Sequence, residues 1–286
     1  MTRLILFCTF LLNSSLAVGS SWALQTTSIA EITNDKSNTS GQNRPIVVYR
    51  LSNASSKTGV RNRFFIQAGL HANEKQTTVL ALKIADNLSK NKGGLARLPA
   101  GTLIDIVPKA NPDTQKRYNH KNINLNRNFS VLWGNSKEPY GDKPFSEKET
   151  KSIKALFDIM NYTSAIDIHG FVNWIVIPSS PAIISENNPT KKQRYKRWVE
   201  AITSHTQKLK RYEVKSAGQL GDGGAFEDWS FWEENSFSIC LEMENPFLGK
   251  RSTAKYEDFI FRAFTSAMEI NKEIPFTTTK TAEAVQ

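Results

Sequence analysis

Six short runs dense in β-branched and aromatic residues punctuate this chain: Ile46 to Leu51, Arg63 to Leu70, Thr102 to Val107, Thr163 to Ile168, Trp174 to Ile177 and Phe237 to Leu241. Each is too short and too apolar for an exposed helix, so each reads as a buried strand. Between them lie stretches of helical period, Glu74 to Leu88, Glu147 to Met160, Lys191 to Leu209 and Tyr256 to Ile274. Ser146 followed by Glu149 predicts a capping box at the start of the second. Strands alternating with helices predict a single α/β domain with a mixed, largely parallel central sheet flanked by helices on both faces. In such sheets a site forms at the carboxyl ends of the strands, and polar residues just beyond strand runs are the ones that matter.

The segment 1–23 combines an early Arg3, an apolar run through Leu12 and small residues around Ser21-Trp22-Ala23, the build of an export signal peptide. No later run approaches the ~20 apolar residues of a bilayer span, so no stable membrane insertion is expected after signal removal. A secreted or periplasmic enzyme is the expectation. Cys8 falls inside the signal and leaves Cys240 as the one cysteine beyond it, which precludes an intramolecular disulfide and favours a bacterial periplasm. Residues 24–44, rich in Ser, Thr and Asn without apolar period, read as a flexible lead-in; 45–274 read as the catalytic domain and 275–286 as a polar tail. The net charge of +10 is spread along the chain instead of gathered in a block. It implies a solvated basic surface suited to encounter with anionic polymers, with no nucleic-acid partner. Oligomeric state is not readable.

Three motifs follow strand runs. Gly69-Leu70-His71-Ala72-Asn73-Glu74 places a histidine and a carboxylate three residues apart, able to converge on one cation; a helix-start Glu beside a solvent-facing His explains the same pattern. Asp167-Ile168-His169-Gly170 offers a third ligand, or a core histidine satisfied by a backbone carbonyl. Asn111-Pro112-Asp113, Arg117-Tyr118-Asn119 and Asn124-Leu125-Asn126-Arg127-Asn128-Phe129 supply arginines and amides suited to a carboxylate and a developing oxyanion, or form only an Asn-rich loop.

Taken in this order, and with Pro144-Phe145-Ser146-Glu147 as a fourth block, the motifs resemble the zinc metallocarboxypeptidase family, carboxypeptidase A-like, in its compact bacterial branch. The resemblance covers roughly Pro45 to Ile274. It implies one Zn2+ per chain on His71, Glu74 and His169, oxyanion stabilisation by Arg117, and a clamp for the terminal carboxylate made by Asn126 and Arg127. The family's general base stands at the end of a late strand after an Asp-Trp pair. Here Asp228-Trp229 precedes Phe237 to Leu241 and selects Glu242 over Glu244. Two departures stand out. Asn124 occupies the place of an Asp that usually orients a zinc-binding histidine, and Gln219 to Gly224 contain no counterpart of the mobile loop tyrosine, Tyr212 lying too far upstream.

The resemblance also places Glu227, just before the Asp-Trp pair, in the specificity pocket, where a carboxylate favours a basic or amino-bearing terminal residue; a solvated helix residue is the plainer reading. The expected partner is a peptide substrate, with diaminopimelate-containing peptidoglycan stem peptides first. A zinc-dependent deacylase of N-acyl amino acids and a non-catalytic peptide-binding homologue are the alternatives. His120 and His205 read as surface residues without a role, and Trp174 and Trp229 as lining the cleft.

Overall fold

The structure, a computed structural model, describes residues 21–244 and 253–276. The signal reading for 1–20 and most of the tail, 277–286, lie outside the described residues. One α/β domain is seen. Its eight strands are β1 (Ala23–Ser28), β2 (Val47–Ser52), β3 (Asn62–Ala68), β4 (Thr102–Val107), β5 (Ser164–Gly170), β6 (Trp174–Ile177), β7 (Glu213–Ser216) and β8 (Phe237–Met243). They form one sheet in the order β1-β2-β4-β3-β5-β8-β6-β7. The central pairs β4/β3, β3/β5 and β5/β8 are parallel, as is β6/β7, while β1/β2, β2/β4 and β6/β8 are antiparallel.

Strand pleating sorts side chains between the two faces. Phe64, Ile66 and Ala68 of β3 point to one face with Phe237, Ile239 and Leu241 of β8, under the helices α2 (Lys75–Ser89), α4 (Pro189–Thr206) and α7 (Thr253–Glu273). Phe65 and Ala165 point to the other face, where α3 (Lys148–Met160) and the short α6 (Phe226–Trp232) pack Phe157, Phe226 and Trp229 around Phe129. Trp229 is fully buried and stacks on Phe129 with ring centroids 5.1 Å apart, so it belongs to the core and not to the cleft.

Burial on both faces makes an unpaired charge within the sheet costly. Asp105 of β4, fully buried, receives Arg50 Nε and Nη2 at 2.8 Å each and the Tyr162 hydroxyl at 2.6 Å. Deleting one member of such a set strands the others, and Asp105→Ala should lower unfolding stability by about 3 kcal/mol. Denaturant titration measures it, and a loss under about 1 kcal/mol would mean that Arg50 simply returns to water.

Two sequence expectations are corrected here. Residues 24–44 are not a flexible lead-in. Residues 23–28 form β1, registered along all six residues on β2, and Trp22 is 5% exposed within the core. Ser28 and Glu31 cap α1 (Ile29–Ile32) reciprocally, and the following turn is tied down when Ser40 Oγ and Gln42 N donate to Asp113 at 2.6 and 2.8 Å. The domain therefore starts before Pro45. The second correction concerns α3, which carries no Ser146–Glu149 capping box. Asn128 Oδ1 instead accepts from Glu147 N at 3.1 Å and Thr150 Oγ1 at 2.6 Å, and Glu149 turns away to accept Gly41 N at 3.0 Å.

Candidate active site

The carboxyl ends of β3, β5 and β8 lie side by side, and the expected ligand and base positions sit there. His71 and Glu74 lie in the turn between β3 and α2, His169 is the penultimate residue of β5, and Glu242 pairs with His169 in register. His71, Glu74 and His169 are 4%, 6% and 1% exposed. Asn124 Oδ1, an acceptor only, lies 2.9 Å from His71 Nε2, and Asp167 Oδ2 lies 2.9 Å from His169 Nε2. Both Nε2 atoms therefore carry the hydrogen when the rings are neutral, and both Nδ1 atoms present a lone pair.

Those Nδ1 atoms lie 3.0 Å apart, with Glu74 Oε1 3.0 Å from the first and Oε2 3.3 Å from the second. Two lone pairs and a buried carboxylate converging this closely need a positive charge among them. The spacing matches the ~3.4 Å between ligands that each lie ~2.1 Å from a tetrahedral zinc. His71, Glu74 and His169 thus fit zinc, as two nitrogens and a carboxylate with room for one more ligand. The titration pattern agrees. Burial raises the Glu74 carboxyl, but hydrogen bonds from His169 and His71 overcome it and hold the group down at about 2. Burial lowers His71, whereas His169 is raised well above its ordinary value despite burial, because Asp167 lies against it. The site stabilises positive charge at the Nδ1 atoms.

Glu242 has the opposite environment. Burial, with Glu74 and Asp167 nearby, lifts its carboxyl to about 7 against the pull of His169 and Arg117, and its Oε2 has no hydrogen-bond partner among the described residues. The competitor Glu244 lies past the end of β8 and pairs with Lys255 at 2.6 Å. Tyr212 hydrogen-bonds Tyr256 at 3.1 Å, within the core under α7 and away from the ligands.

Arg117 reaches the ligand group, with Nη1 3.2 Å from His71 Nδ1 and 3.5 Å from Glu74 Oε1. Asn126 and Arg127 lie on a single 3-10 turn, Leu125–Arg127, and are 6% and 7% exposed. Asn126 Oδ1 accepts from Phe226 N at 2.9 Å, and Arg127 lines a cleft of about 500 Å3 together with Glu138, Leu220 and Asp222. Gly224, at φ +77°, lets the Asp222 loop lie against the Arg127 backbone, where a Cβ would stand 2.3 Å from the Arg127 carbonyl oxygen.

Two carboxylates here escaped the sequence reading. Asp222 pairs with Arg127 Nη2. Glu138 accepts from Arg117 Nη2 at 3.2 Å and from the Asn124 amide nitrogen. The negative charge lost with Asn124 therefore returns one group further out, through the Asn124 amide to His71. Glu138→Gln should weaken zinc binding about 10-fold and lower kcat through a looser Arg117; chelator-competition titration and steady-state rates report the two separately.

Glu227 is neither solvated nor paired. It is 2% exposed, its Oε2 lacks a hydrogen-bond partner, and burial with neighbouring Asp228 and Asp222 raises its carboxyl well above the ordinary value. It lies near Cys240, whose thiol is raised by burial and by the charges of Glu242 and Glu227. Asp228 accepts Ser179 Oγ at 2.6 Å and so ties α6 to the loop after β6.

A buried His-Glu-His group at the carboxyl edge of a mixed sheet, with an unpartnered carboxylate and Arg117 beside it, defines a zinc-dependent hydrolase. The chain belongs to the zinc carboxypeptidase family, whose model matches residues 25–258, from within β1 into α7. Its fold is similar to that of bovine thrombin-activatable fibrinolysis inhibitor, at TM-score 0.63 and 20% identity over 88% of this chain and 91% of that one. It is also similar to a metallo-carboxypeptidase from Burkholderia cenocepacia (TM-score 0.58, 16% identity, 87% of this chain and 65% of that one). An aspartoacylase family protein from Mesorhizobium loti has the same fold (TM-score 0.56, 17% identity, 87% and 67%). No curated protein matches the chain in sequence.

Proposed function

We propose that this zinc carboxypeptidase is an exported enzyme that hydrolyses the amide bond next to a free terminal carboxylate, on peptides whose last residue carries an amine or guanidinium. Bacterial cell-wall stem peptides containing diaminopimelate are the first substrate class. The observation that carries this reading is the placement of Arg117 against His71 and Glu74 and of Glu242 beside His169, with Arg117 joined through Glu138 to the cleft that Arg127 lines.

When bound, zinc polarises the scissile carbonyl and acidifies a water. Glu242 takes the proton of the attacking water at a carboxylate oxygen and delivers it to the leaving amine nitrogen. Arg117 donates hydrogen bonds to the carbonyl oxygen as it becomes anionic. Asn126 and Arg127 hold the terminal carboxylate and so set which bond is presented. Burial of His71, Glu74 and His169 limits bulk water at the site and strengthens each of these interactions.

Selectivity for a basic terminus rests on Glu227. A carboxyl kept protonated by burial ionises when a cationic side chain arrives to pair with it. Glu227→Gln should cut the preference for Lys or diaminopimelate over Phe by at least about 30-fold. The same change should stabilise the protein at alkaline pH. A carboxyl whose folded pKa is raised opposes folding once pH exceeds its unfolded value, so the gain in Tm should be largest near pH 8 and vanish near pH 4. An unchanged preference would place Glu227 outside the specificity pocket, whatever the change in Tm.

The basic charge, +10, favours approach to an anionic wall polymer. The test is hydrolysis of a diaminopimelate stem peptide beside peptides ending in Lys, Arg or Phe and beside an N-acyl amino acid, each with and without chelator. Chelator-sensitive release ranked diaminopimelate, Lys and Arg above Phe supports the reading. Turnover of the N-acyl amino acid alone replaces it with a deacylase.

A further inference from the structure

A second set of metal-ligating side chains converges outside the site already described. Asp113, His120 and Glu149 each bring one ligand atom within 4.8 Å of the others. They come from three separate parts of the chain: the Asn111–Asp113 turn, the loop after Arg117, and the first turn of α3. Glu149 is fully buried, and so is the side chain of Asp113, while the His120 side chain is 21% exposed.

The groups are not satisfied by one another. Glu149 Oε1 accepts Gly41 N, but Oε2 is buried with no hydrogen-bond partner. His120 Nδ1 is likewise buried without a partner and lies 3.6 Å from Asp113 Oδ2, beyond hydrogen-bonding reach. That separation is the spacing of two ligands on a common ion. The ring is held there by shape: it lies against Gly41, where a Cβ would stand 1.9 Å from His120 Cε1. Asp113 is oriented by Ser40 Oγ and Gln42 N, which leaves lone pairs free on both oxygens. Among the described residues, the one arginine or lysine ion pair made by the two buried carboxylates is to Arg44, whose Nε is 3.9 Å from Asp113 Oδ1 on a side chain 56% exposed. The neighbouring lysines are engaged elsewhere, Lys121 with Glu147 and Lys148 with Asn43.

We infer that Asp113, His120 and Glu149 form a second divalent-cation site, structural in role, that clasps the Ser40–Arg44 turn to α3 and to the loop carrying Arg117. One imidazole with two carboxylates is the donor set of zinc and its first-row neighbours, while calcium prefers six or more oxygens. The ion would neutralise the two carboxylates and stiffen the loop three residues beyond Arg117. It would also explain why Glu149 leaves its capping position at α3.

The test uses the purified chain, loaded with excess Zn2+, freed of loose metal and assayed for metal by mass spectrometry. Two ions per chain are expected for the wild type, and one for His120→Ala and for Glu149→Gln. A His71→Ala/His169→Ala variant should still bind one ion, with Tm rising on zinc addition. A wild type that holds one ion overturns the inference, as does a folded double variant that holds none and shows no Tm shift. Because the wild-type count alone separates one ion from two, the result stands even where a variant fails to fold.

Discussion

Replacing Glu242 by Gln should lower kcat by about 10^2- to 10^4-fold while leaving the zinc content at the His71–Glu74–His169 site unchanged. The substitution keeps the shape of the side chain and removes only its basicity. It is well tolerated structurally, because burial already holds the Glu242 carboxyl up at about 7, so a neutral group suits its surroundings. The same elevation sets the pH profile. Only the ionised form accepts a proton, so kcat/KM should fall on acidification, with a midpoint above the ordinary glutamate range and no higher than about 7. Bound zinc, a nearby positive charge, pulls that midpoint downward. Stopped assays across pH on wild type and variant test both statements; a variant within threefold of wild type would remove Glu242 from the chemistry.

Zinc removal should be the other large effect. With the two Nδ1 atoms 3.0 Å apart and Glu74 buried between them, the metal-free site must hold converging lone pairs or take up a proton. An ion bound at a thousand times its Kd contributes about 4 kcal/mol, which for a chain of this size corresponds to about 8–16 °C in Tm. Chelation should also abolish hydrolysis. The thermal loss has a pH signature. His169 is raised well above its ordinary value by Asp167 and Glu74. A proton on His169 therefore substitutes for the ion below that raised value and is lost as pH climbs through it. The Tm gap between loaded and chelated protein should be wider at pH 9 than at pH 6, as calorimetry at both values can check.

The positions of His71, His169 and Glu242 were legible in sequence because each stands immediately beyond a run of buried strand residues, with Glu74 three residues after His71, and the resemblance to the zinc metallocarboxypeptidase family then supplied the expected roles. Both strands missing from the sequence reading, β1 and β7, are the sheet's edges. Leu24 to Thr26 are exposed, and β7 reads Glu213-Val214-Lys215-Ser216, so neither carries a continuous apolar run. The polar composition of 24–44 concealed order that backbone donors and Asp113 impose, although the Ser28-to-Glu31 pattern was itself a readable cap. Asp222 and Glu138 were illegible for another reason. Each meets its arginine or amide across a loop, 95 residues apart for Arg127 and Asp222, and no local period marks such a meeting. Glu227 was visible by position, but its burial follows from how the short α6 packs on β8.

The pairing of Arg117 with Glu138 and of Arg127 with Asp222 changes what binding means here. On the proposed reading, a peptide's terminal carboxylate would not meet bare cations; it would compete with anions the protein already supplies. Recognition on the Arg127 side would then be an exchange of counter-ions, with the displaced Asp222 left free to attract an ammonium group on the arriving residue. Affinity for a simple carboxylate should accordingly be modest and only weakly dependent on ionic strength, whereas a zwitterionic terminus, with amine and carboxylate close together, can satisfy both partners at once. Such a cleft reads the arrangement of charges on its ligand more than their sum.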